Sequence, residues 1–105
     1  MATYDQLISR VNRGDKSILN DPAVSKVKNG IGNTPLHWAA LKWEDALKHP
    51  DISRVQNNFG DTPLHWAASR WESAAYHQEV RKVRNHQGEL PCLLIPNNGV
   101  KDGNL

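Results

Sequence analysis

A nine-residue stretch occurs twice in this chain, as Gly32-Asn33-Thr34-Pro35-Leu36-His37-Trp38-Ala39-Ala40 and as Gly60-Asp61-Thr62-Pro63-Leu64-His65-Trp66-Ala67-Ala68, and Gly88 continues the 28-residue spacing. A shift of 28 without gaps lays positions 19–49 on 47–77, and seventeen of those 31 positions are identical, which makes the repeat one of structure rather than of composition. Pro22, Ser25, Val27 and Asn29 pair in the same way with Pro50, Ser53, Val55 and Asn57. A unit this small cannot bury an apolar face alone, so its copies must lie against one another. At 105 residues the chain has room for one continuous core of this kind.

Each copy carries its own start and stop signals. Gly32 and Gly60 permit a turn with positive φ, and the Thr-Pro that follows opens a helix, with threonine as cap and proline in the first turn. The pattern predicts a helix over 36–41 and another over 64–69, where Ala39, Ala40, Ala67 and Ala68 allow close approach. A second short helix is predicted over 44–48 and 72–77, acidic at its start and ending in Lys48 or a histidine, with Pro50 stopping the first copy. Segments 24–31 and 52–59 return as extended or turn structure, with Asn29 and Asn57 suited to the turns. Such helices do not persist alone, so neighbouring layers must hold them.

The repeat fades at both ends. Upstream, positions 5–19 align with 33–47 and keep only the apolar pattern Leu7, Ile8, Val11, Ile18 and Leu19. Downstream, Val83, Asn85, Gly88 and Pro91 stay in register, while Leu90, Leu93 and Pro96 replace the threonine, the histidine and the second alanine. These features divide 1–95 into a cap (3–27), two repeats (28–55 and 56–83) and a partial last unit (84–95). A flexible tail is expected over 96–105, where Asn97-Asn98-Gly99 and Asp102-Gly103 signal turns.

The repeated Gly-x-Thr-Pro-Leu-His-Trp-Ala-Ala resembles the ankyrin repeat, and the resemblance runs from position 6 to about position 95. In the cap, Gly14-Asp15 resembles that family's turn between paired helices. The resemblance implies an all-α solenoid of stacked helix-turn-helix units with short connecting loops, which holds a partner protein on a concave surface. The chain departs from the family in length, because the usual repeat has about 33 residues. The shortfall lies in the second helix and the loop after it, where the Leu-Leu and Gly-Ala-Asp stretches are absent. Trp43 and Trp71 stand where a glycine normally separates the two helices. A truncated second helix and altered curvature are expected.

Under this resemblance His37 and His65 tie Thr34 and Thr62 to nearby backbone. No closely spaced second ligand accompanies them or the repeated His49 and His77, so no metal site is expected. Ile31 and Phe59 precede the turn glycine, at the loop tip that points toward partners in the family. A bulky apolar tip is costly unless it packs or binds. Trp38 and Trp66 lie toward the concave side, Lys42 and Arg70 close the first helix, and Asn33 and Asp61 complete the expected partner-binding set. Trp43 and Trp71 are expected to cover the core.

Lys26, Arg54 and Lys82 share one register position, and Lys28 and Arg84 share another, forming a basic stripe suited to an acidic protein surface. The stripe also admits weak nucleic-acid binding, but the net charge of +2 is small and no recognition motif accompanies it. Nor is there a nucleophile elbow or a phosphate loop, so neither an enzyme nor a cofactor is expected. Cys92 is the only cysteine and fits a reducing, cytoplasmic setting as a small buried apolar group. Delivery into another cell by a route that reads other features stays open, as do an inhibitory or capping role and self-association of an otherwise monomeric chain through its C-terminal end.

Overall fold

In the computed structural model, which describes residues 3–95, three α-helices form where threonine opens the chain: α1 (Tyr4–Asn12), α2 (Pro35–Lys42) and α3 (Pro63–Arg70). Thr34 and Thr62 are the N-caps of α2 and α3, accepting from the backbone N–H of His37 and His65, and proline fills the first turn where no N–H is needed. Thr3 caps α1 in a reciprocal box with Gln6. Single 3-10 turns occupy Lys16–Asn20, Pro22–Ser25, Glu44–Lys48, Glu72–Tyr76 and Pro91–Leu94. Among the described residues there is no strand. The tail expected over 96–105 lies outside them.

The second helix of each copy is thus a 3-10 turn, and its flanks explain why. Trp43 and Trp71 take extended backbone, with φ of −131° and −119°, which ends α2 and α3. His49 and His77 are extended again five residues after each turn begins. A segment that short closes i to i+3 bonds but cannot build an α-helical ladder. The extended backbone also explains why no glycine is needed at Trp43 or Trp71. The Trp71 indole instead donates to the Ala40 carbonyl at 2.7 Å, closing the end of the preceding helix.

One apolar cluster runs through all layers, from Leu7, Val11 and Ile18 through Leu36 and Ile52 to Leu64 and Ala74. Ala39, Ala40, Ala67 and Ala68 are fully buried, and their small side chains let α2 and α3 lie close together. Trp43 joins this core, whereas Trp71 is only partly buried against it. Cys92, expected to be buried, is only half-covered, because the last unit has a neighbour on one side alone. In the same unit Leu93 is 58% exposed.

The turns between layers are copies of one device. The side-chain oxygen of Asn29 accepts the N–H groups of Ile31 and Asn33, that of Asn57 accepts those of Phe59 and Asp61, and that of Asn85 those of Gln87 and Glu89. Gly32, Gly60 and Gly88 complete these turns with φ near +80°: +83°, +78° and +82°. At Gly60 an added Cβ would meet the His86 backbone nitrogen at 2.5 Å, whereas at Gly88 it would meet open space. Gly88→Ala should therefore cost about 1–2 kcal/mol of left-handed strain alone. Gly60→Ala should cost clearly more, since the next turn must also move, and urea unfolding of the two variants compares them directly.

Candidate functional site

The surface rests on a hydrogen-bonded frame that joins each layer to the next. His37 Nδ1 accepts the Thr34 N–H at 3.0 Å, so the ring proton is on Nε2, which donates to the Asp61 carbonyl at 3.0 Å. His65 repeats the arrangement with the Thr62 N–H at 3.1 Å and the Glu89 carbonyl at 2.9 Å. Asn57 Nδ2 donates to Asn33 Oδ1 at 2.8 Å, and Asn85 Nδ2 to Asp61 Oδ1 at 2.9 Å. The tips are joined through the backbone as well, by Asn58 N–H to the Ile31 carbonyl and His86 N–H to the Phe59 carbonyl. Each turn is held at its base and its tip.

On this frame Ile31 and Phe59 stand out at equivalent tips, 48% and 59% exposed. Trp38 is 39% exposed and meets Trp66 edge to face at 5.1 Å, while its indole N–H donates to the Tyr4 hydroxyl. Lys42 and Arg70 are exposed in the last turns of α2 and α3, the Arg70 guanidinium lying 5.2 Å from the centre of the Trp71 ring. Asn33, expected on the binding surface, is only 2% exposed and bonded to Asn57. Asp61 is half-buried and bonded to Asn85. Both belong to the frame, because the same register that aligns the turns faces these side chains toward the next layer.

The basic stripe is interrupted. Arg54 lies 3.9 Å from Asp51, and Lys82 lies 3.8 Å from Glu79. Lys28 donates to the Gln56 carbonyl at 3.3 Å, Arg84 to the Gly88 carbonyl at 2.7 Å, and Lys26 is exposed. Alternating carboxylates and backbone contacts leave a mixed surface rather than a continuous cationic track. His49 and His77 each accept a backbone N–H two residues on, from Asp51 and Glu79, as Asp21 does from Ala23. Among the described residues no group of three or more His, Cys, Asp or Glu could hold a metal ion.

One feature of the surface escapes a reading of the repeat. Ile8, Val11, Asn12, Trp38, Leu41 and Lys42 line an open, mainly apolar groove of about 410 Å³ between α1 and α2. The available signal was the mismatch of Leu41 with Ser69, where the repeat changes from apolar to polar.

A family model described as Ankyrin repeat matches residues 31–54. No curated protein matches the chain.

Burial pushes the His37 pKa down from 6.5 to about 4, against the smaller upward pull of Asp61. Between those values the unfolded chain binds more protons, so stability rises with pH across that window and is lost as pH falls from 6.5 toward 4. For His37 alone the loss should be about 3 kcal/mol. Burial lowers His49 and His77 as well, in the same sense. Asp15 and Asp21, lowered from 3.8 by hydrogen bonds led by Ser17 and the Ala23 backbone, lose their contribution only at lower pH still. Urea unfolding at pH 7 and pH 4.5 should show the loss, and His37→Gln should be less stable at pH 7 with a shallower dependence.

Proposed function

Because the chain belongs to the ankyrin-repeat family, whose repeats are in general non-catalytic modules for protein interaction, we propose that it holds a partner protein on the side formed by its turn tips and the exposed faces of α2 and α3. The observation that carries the reading is the pair of exposed apolar tips, Ile31 and Phe59, on turns whose backbones are already bonded to each other. A large side chain on a tip whose backbone is already fixed needs little further ordering of the chain on binding and gains from taking its exposed half out of water. Trp38, Trp66, Lys42 and Arg70 extend this surface, and Asn33 and Asp61 support it from beneath. An inhibitory role, blocking an enzyme by the same face, is a special case of the same binding.

The carboxylates beside Arg54 and Lys82 weigh against nucleic acid as the ligand. Affinity capture with the intact chain and with a Phe59→Ala, Arg70→Ala double variant tests the surface. The variant should unfold within about 0.5 kcal/mol of the parent, since both side chains are exposed. It should also bind the captured partner at least about tenfold more weakly. Partners retained equally by both chains would refute the assignment.

A further inference from the structure

We infer that the groove between α1 and α2 takes an acidic segment of a partner protein carrying a bulky apolar side chain, an inference that rests on reading the chain as a protein-binding module. The groove walls are Ile8, Val11, Trp38 and Leu41, and its space of about 410 Å³, open to solvent, is large enough to seat a bulky apolar side chain. In the next layer Ser69 stands in place of Leu41, its hydroxyl donating to the Trp66 carbonyl. The apolar wall therefore belongs to the α1–α2 layer.

The one charged side chain lining the groove is a cation. Lys42 lines it, is exposed, and forms no ion pair among the described residues. Arg13 closes α1 and Arg70 sits in the last turn of α3, so each of the three helices ends in an exposed cation. In the cap Asp15 and Asp21 each lie 3.0 Å from Arg10, and Asp5, in the first turn of α1, stands outside the lining. An apolar trough with the free Lys42 ammonium at its edge complements a segment with one large apolar side chain and carboxylates a few residues away. Single-stranded nucleic acid fits less well, because Trp38 and Trp66 meet edge to face and present no parallel rings on which successive bases could stack.

Selection of a displayed library of random short peptides on the full chain tests this. Enriched sequences should combine Leu, Ile, Phe or Trp with at least a pair of acidic residues, and their binding should weaken with added salt. Lys42→Glu should weaken the selected peptides about tenfold or more by fluorescence anisotropy. Leu41→Ser, which copies the residue that α3 already carries, should weaken them severalfold. Circular dichroism spectra of both variants should match the parent, with melting midpoints lowered by no more than several degrees. No enrichment, a consensus without acidic residues, equal binding by the variants, or tighter binding of an oligothymidine strand would overturn the inference. If groove variants bind normally while the Phe59→Ala, Arg70→Ala variant loses its partner, this assignment falls and the protein-binding reading stands. If neither set affects capture, both fall.

Discussion

The structure depends on a buried histidine that spends both ring nitrogens on backbone. One nitrogen of His37 fixes the start of its own helix at Thr34, and the other reaches the Asp61 carbonyl in the following layer. Local geometry and stacking are thereby fixed by the same side chain. A buried group of this kind is stabilising only while every partner is present, since an unpaired polar atom away from water costs more than a hydrogen bond returns. Among the described residues no buried side-chain nitrogen or oxygen lacks a partner. Short helices gain from that completeness what their length denies them.

Much of this was legible because the repeat is nearly literal. Thr34-Pro35 and Thr62-Pro63 name the helix starts, the glycines name the turns, and the shift by 28 places equivalent side chains on equivalent sites. The second helix was placed correctly by its charges, but its 3-10 form follows from extended backbone at Trp43 and Trp71, which composition does not encode. The family resemblance puts Asn33 and Asp61 on the binding surface, but a resemblance in register does not say which way a side chain turns. Their direction is set by the adjacent layer, where Asn57 and Asn85 donate to them. The groove beside Leu41 depends likewise on how α1 lies against α2.

The tryptophans show how one residue type serves two ends. Trp43 and Trp71 are set just past the helix ends and cover the core, and the Trp71 indole supplies a donor to the Ala40 carbonyl in the last turn of the helix before it. Trp38 and Trp66, five residues earlier in each copy, meet one another across the layers with Trp38 still open to solvent. Aromatic area is therefore spent on cohesion at one position and kept available at the other.

The replacement of Leu41 by Ser69 in the next layer breaks the translational equivalence of the array. A perfectly periodic face offers an elongated ligand several degenerate registers, so that the ligand can slip by one period at no cost. A single hydrophobic recess removes that degeneracy and gives the surface an origin from which position along the stack is counted.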